Sequence, residues 1–266
     1  MFRNMTLGQY YPADSVLHRL DPRVKLLATL LYIIGIFCID SPIGVVFVTV
    51  CLASLIFLSK VPFSFMVRGL KGIMVLLIIA AFFNLLMTPG VPIVSFWIFK
   101  LTWEGIKNAA LMTIRMVYLI MGTSLLTLTT TPNALTDGLE KGLSFMNFFK
   151  VPVSEIAMMM SIALRFIPIL IEETDKIMKA QMARGASFDK GNLIQKAKSM
   201  VPLLVPLFVS AFRRAYELAN AMEARCYNGG EGRTKMKPLR YKRNDYISYG
   251  VAGSFFLICI VLGIMF

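Results

Sequence analysis

The residues of this chain best placed for specific chemistry are two arginines, each closing a long helix-like run. The first run, RFIPILIEETDKIMKAQMARGAS, stops at Ala183-Arg184-Gly185, and the second, PLFVSAFRRAYELANAMEARCYNGG, stops at Ala224-Arg225-Cys226. The chemistry such ends offer is recognition, since a guanidinium is a planar fork that bonds several carbonyls or a carboxylate at once. A single cation in a last helical turn also has a plain explanation, because it favours the helix dipole by about 0.3–1 kcal/mol. Two such ends with the same alanine before the arginine read instead as a two-pronged plug for two similar sockets. Superposing Arg184 on Arg225 lays Ala180 on Ala221 and sets Glu172-Glu173 against Arg213-Arg214. Charges of opposite sign at matched positions are what two crossing helices use to pair.

Bond-making chemistry finds little support. No GxxxxGK[ST] loop occurs, so nucleotide must be handled by another chain. The only histidine is His18, beside Arg19, and it reads as a surface or interface residue. Cys38, Cys51 and Cys259 sit in apolar runs and Cys226 stands alone, which argues against a metal site or a disulfide framework. An intramembrane enzyme needs paired acids at membrane depth, whereas Asp40 and Glu104 lie at loop ends. An autonomous secondary carrier remains the alternative reading; it predicts inverted repeats of spans and ionisable groups near the midplane. Arg115 is the one cation inside an apolar run, costly in lipid and so a functional candidate. A structural role, reaching Asn84 or Thr113, is the other reading of it. Met158-Met159-Met160 fits either an adaptable docking surface or ordinary packing.

The elements that must carry these residues are mostly membrane helices. The chain has 266 residues, 57% of them hydrophobic, with a net charge of +13. Apolar runs at roughly 24–39, 43–58, 72–88, 105–130 and 246–266 predict about five spans. The first two are short and joined by Asp40-Ser41-Pro42, so one of them is expected to be tilted, shortened or re-entrant. TPGVPIVSFWIFKLTW cannot form a long helix, and its Trp97 and Trp103 suit an interfacial belt. With the amino terminus inside, only Lys100 and Lys107 of the 28 Lys and Arg fall outside, and only Arg115 within a span. That asymmetry sets the orientation and explains the positive charge as cytoplasmic surface near anionic lipid, not nucleic-acid binding. Residues 1–23 lack the apolar core of a cleavable signal.

Between 131 and 245 the sequence is apolar yet interrupted by Pro152, Pro168, Pro202 and Pro206, which predicts amphipathic helices in place of spans. From Pro168 to Arg184 such a helix reaches about 24 Å, and Asn228-Gly229-Gly230 reads as the stop after the second tip. The expected fold is an all-α membrane protein. Residues 1–130 form a bundle of about four spans, 131–240 a cytoplasmic layer of long crossed coupling helices, and 241–266 a last span.

The two Ala-Arg ends, RLDPRVKLL at 19–27 and MEARCYNGGEGRTKMK at 222–237 resemble the transmembrane component of energy-coupling factor transporters, EcfT. The resemblance runs over nearly the whole chain and departs from the motif at Cys226, where glycine is expected. It implies a non-catalytic coupling subunit of an ABC-type importer of vitamins or metals, in the cell membrane with amino terminus and coupling helices cytoplasmic. The implied partners are two ABC-type ATPases and a small interchangeable substrate-binding membrane subunit. No cofactor is expected in this chain, because ATP and Mg²⁺ would be held by the ATPases. By resemblance, Ala183, Arg184, Gly185, Ala224, Arg225 and Cys226 dock on the ATPases, while the matched opposite charges assign Glu172 or Glu173 to pair with Arg213 or Arg214. Asp21-Pro22-Arg23 reads first as a helix start and second as a contact site of that family.

Overall fold

A computed structural model of the chain describes residues 10–87, 92–96, 99–186, 188, 193–229, 236 and 238–265. Its contacts divide the chain into two units, one of residues 8–141 with 239–266 and one of 142–238.

The first unit opens on α1 (Pro22–Phe37), started by the Asp21-Pro22 that sequence alone marks for it, and α2 (Pro42–Ser59), which begins at the expected Asp40-Ser41-Pro42 joint. Asp21 accepts from the Arg23 amide and Ser41 from the Gly44 amide, and each is followed by a proline at the first helical position. There follow α3 (Phe63–Lys71), α4 (Met74–Met87), an antiparallel hairpin of β1 (Pro92–Phe96) and β2 (Phe99–Thr102), and α5 (Trp103–Thr129). The short α6 (Pro132–Gly142) and, after the second unit, α9 (Arg243–Met265) complete it. Trp103 is exposed at the start of α5, whereas Trp97 lies outside the described residues.

The core of this unit joins Tyr32, Ile36, Leu52, Met66, Leu125 and Cys259 from five helices. Gly122 permits a close approach, since a Cβ there would collide with the Tyr32 ring, whose hydroxyl donates to the Tyr118 carbonyl at 3.0 Å. Around this core, large apolar residues such as Phe57, Val75 and Ile264 are exposed, as lipid-facing surfaces are. Four helices are long and apolar enough to cross a membrane (α2, α5, α9 and α7 of the second unit); α3 and α4, bent by 63°, make a fifth if they count as one span. The chain is therefore an all-α, multi-pass membrane protein with one small hairpin.

Two expectations about spans need adjustment. The run expected as the first span, α1, has only 16 residues, about 24 Å against a hydrocarbon core of about 30 Å, and is not among the helices long enough to cross. It is the shortened member of the hairpin. Arg115, expected near Asn84 or Thr113, instead donates to the Ile39 carbonyl at 2.6 Å and to Asp40 at 2.7 Å at the tip of that hairpin. Asn84 and Thr113 bond to carbonyls of their own helices. A short hairpin leaves Asp40 within reach of a cation on a longer helix, and each charge lowers the cost of the other.

The stretch before α1 is pinned by His18. Its Nε2 lies 3.0 Å from the Tyr11 carbonyl and can only donate there, so Nδ1, 2.7 Å from Ser15 Oγ, accepts the hydroxyl proton. Burial holds the imidazole below its ordinary value of 6.5, so the folded chain prefers it neutral. Its stabilising contribution is complete above pH 6.5 and is lost as pH falls below that value through the lowered one. The melting temperature should drop between pH 7 and 5.5, and drop less in His18→Gln, which thermal scans in detergent at both pH values would read.

The second unit holds a short 3₁₀ helix (Ser144–Phe149), α7 (Val153–Ala183) and α8 (Leu193–Glu223). Both long helices run straight through the prolines expected to interrupt them, Pro168 in α7 and Pro202 and Pro206 in α8. Each internal proline removes one amide donor, but the remaining amides of each 31-residue helix outweigh that loss. Only Pro152 acts as a boundary, at the start of α7. The apolar half of α7 therefore qualifies as a span by length and composition.

Candidate functional site

Both Ala-Arg ends form the same backbone knot. In α7 the Gly185 amide donates to the Met182 carbonyl at 3.0 Å and the Ala186 amide reaches back to Gln181 at 3.0 Å. In α8 the Cys226 amide donates to Glu223 at 2.9 Å and the Tyr227 amide to Met222 at 3.1 Å. This paired closure is the Schellman motif, with arginine at the cap position and the next residue left-handed. Gly185 has φ +91° and Cys226 φ +54°. The knot at Ala224-Arg225-Cys226 therefore ends α8 ahead of the Asn228-Gly229-Gly230 stretch expected to stop it; Gly230 lies outside the described residues. All six residues of the two tips are exposed.

This geometry explains why a small residue follows each arginine. Left-handed backbone costs a residue with a Cβ about 1–2 kcal/mol, and glycine almost nothing. Cys226→Gly should therefore stabilise the second tip by about 0.5–1 kcal/mol after the extra chain entropy of glycine is deducted. Gly185→Ala should destabilise the first by about 1 kcal/mol, since no atom lies within 4 Å of its Cβ position to offset the strain. Thermal unfolding of both variants measures these opposite signs.

Behind the tips, α7 and α8 pack together, and Arg214 Nη2 donates to Glu173 Oε2 at 3.3 Å. Of the four residues expected to pair, these two are brought together. Glu172 and Arg213 are exposed and take part in no ion pair among the described residues. Glu173 and Arg214 each stand eleven residues before their own tip arginine, about 16 Å along each helix. The contact thus leaves two prongs of equal length. Arg214 Nε is buried without a hydrogen-bond partner, and both side chains stay partly exposed, so the pair is worth about 0.5–1 kcal/mol. Reversing one charge (Glu173→Arg) should lower the melting temperature by a degree or two, and adding Arg214→Glu should recover part of it. Additive damage in the double variant would show that the charges do not interact.

Along α8, Val201, Val205, Phe208, Val209, Phe212 and Tyr216 form an exposed apolar stripe at helical spacing. On α7, Met159 and Met160 are also exposed. These surfaces offer a partner or lipid an adaptable greasy face.

A second cluster went unread in the sequence. Asp245, fully buried, accepts from the Asp21 amide at 2.9 Å and the Lys242 amide at 2.6 Å. Arg23 lies 3.7 Å from Asp21, donates to the Leu239 carbonyl and stacks over Tyr241 at 5.0 Å. Lys25 donates to the carbonyls of Thr129, at 2.9 Å, and His18. The Asp-Pro-Arg stretch thus starts α1 and also ties it to the chain entering α9. The only sequence signal for Asp245 was an acid at the edge of an apolar run, where a solvated cap is the ordinary reading.

Comparison with known proteins places these features. The family model of the cobalt transport protein CbiQ matches residues 13–236. A Clostridium kluyveri protein described as energy-coupling factor transporter transmembrane protein EcfT is 55% identical over 93% of each chain. The protein of that description from Heliobacterium modesticaldum is 51% identical over 98% of each chain, and that from Bacillus subtilis 48% identical over 92% of this chain and 93% of its own. The chain belongs to the EcfT family. It is a membrane component of energy-coupling factor transporters.

Proposed function

We propose that this chain is the coupling subunit of its transporter, passing ATP-driven closure of two cytoplasmic ATPases to a separate substrate-binding membrane subunit that takes up a vitamin or other micronutrient. The observation that carries the reading is the pair of matching, exposed, arginine-capped helix ends set at equal distances from one ion pair. Two equal prongs suit two similar ATPases. Each tip would enter a groove where the guanidinium meets carbonyls or a carboxylate. Movement of either prong would be felt at the Glu173–Arg214 contact and along the apolar stripe of α8, where the interchangeable substrate-binding subunit or lipid would rest.

In this reading the amino terminus, α7 and α8 face the cytoplasm of a cell-membrane protein, in keeping with the distribution of Lys and Arg. Residues 1–130 form the membrane bundle, 131–240 the coupling layer and 241–266 the last span. The chain itself performs no catalysis, and ATP and Mg²⁺ belong to the ATPases. Purification in mild detergent tests the assignment. Two ATPase chains and one small membrane protein should accompany the chain, whereas an autonomous carrier would bring none.

A further inference from the structure

In the membrane unit, α1, α2, α5 and α9 enclose a cavity of about 470 Å³, within the range of sites that bury one small ligand. Its lining on α9 is Asn244, Ile247, Ser248, Val251, Ala252 and Phe255, spaced as a single helix face. The cavity therefore follows α9 from its first turn for about 16 Å. It is long, mostly apolar and graded in polarity. Lys25, Thr29, Thr129 and Asn244 lie at one end, where α1 and α9 begin and α5 ends; Tyr32, Leu52 and Phe255 lie at the other.

What meets the polar end is net positive, with the buried carboxylates of Asp21 and Asp245 near Lys25 outnumbered by cations. Immediately before Asn244 come Arg240, Lys242 and Arg243, all exposed and none in an ion pair among the described residues. The buried Lys25 ammonium donates to two carbonyls and has a third proton to give. A small polar solute would find few partners along the apolar length. A single acyl chain fits the shape, and three cations at the interface suit an anionic head.

We propose that this cavity is a lipid site, holding one acyl chain of an anionic glycerophospholipid whose phosphate rests on Arg240, Lys242 and Arg243. The ester region then lies by Lys25, and the chain fills the slot between α9 and the Tyr32 wall. The site is separate from the helix tips and adds a structural ligand to the coupling reading.

The test uses the full chain with its copurifying partners, reconstituted with equal amounts of a phosphatidylcholine and a phosphatidylglycerol, returned to mild detergent and weighed by native mass spectrometry. One phosphatidylglycerol should remain per chain. The triple variant Arg240→Gln, Lys242→Gln, Arg243→Gln, confined to exposed residues, should retain it at least fivefold less. Ala252→Phe, which fills the slot, should retain neither lipid. Equal retention of both lipids by the native chain, retention of neither, or native retention of phosphatidylglycerol by the triple variant would each overturn the proposal. So would Ala252→Phe shedding a protein partner while keeping its lipid. Should Ala252→Phe fail to fold, the triple variant decides alone.

Discussion

Replacing both Arg184 and Arg225 with glutamate should release the ATPases from the membrane component and abolish uptake, while the chain still inserts and folds. The tips are exposed in the isolated chain, and neither arginine forms an ion pair among the described residues. A guanidinium seated in a groove must find acceptors, and a glutamate in its place meets those acceptors as an unpaired, repelled charge. The loss per tip should be a few kcal/mol, about 2–5, or roughly thirtyfold to several-thousandfold in affinity. Either single variant should retain partial docking through the other prong, because two linked contacts strengthen each other. Substrate capture by the separate membrane subunit should persist in the double variant. Copurification of ATPases and an uptake assay read the two effects independently.

The largest effect on stability is expected at Asp245. Replacing it with alanine leaves the amides of Asp21 and Lys242 without their acceptor and takes one negative charge from the neighbourhood of the buried Lys25. Each amide donor left without its acceptor costs about 1–3 kcal/mol. Asp245→Asn keeps one carbonyl oxygen but turns an amide toward a donor, so it should fall between the two. Denaturant or thermal unfolding in detergent, with proteolysis as a second readout, measures the order native, Asn, Ala. A loss below about 1 kcal/mol in Asp245→Ala would mean the carboxylate is an ordinary surface cap.

What the sequence made legible is local. Asp21-Pro22 announced a helix start, and Asp40-Ser41-Pro42 a tight joint, because a capping side chain and a first-turn proline act within four residues. The matched tips were legible because aligning two arginines needs no knowledge of the fold, and the Glu173–Arg214 pair came from the same alignment. What stayed hidden depends on distant chain. Asp245 bonds across more than two hundred residues to Asp21, and Arg115 finds Asp40 only because α1 is short. Pro168, Pro202 and Pro206 misled for another reason. A proline weighs heavily in a local reading, yet the helix around it is held by many amides that it does not touch. The role of the residue after each tip arginine also escaped, since positive φ is a property of the knot and only glycine advertises it.

Cys226 offers the most direct measurement of the central claim. It is an exposed free thiol immediately beyond the second tip, and a short thiol-reactive cross-linker attached there samples whatever that tip touches. In the assembled complex it should capture one ATPase. Gly185→Cys placed in a Cys226→Gly chain should capture an ATPase from the first tip, and mass spectrometry of the cross-linked peptides would locate both contacts in corresponding grooves. Cross-links from both tips to the substrate-binding subunit, or to no partner in a complex that retains its ATPases, would contradict the two-pronged account.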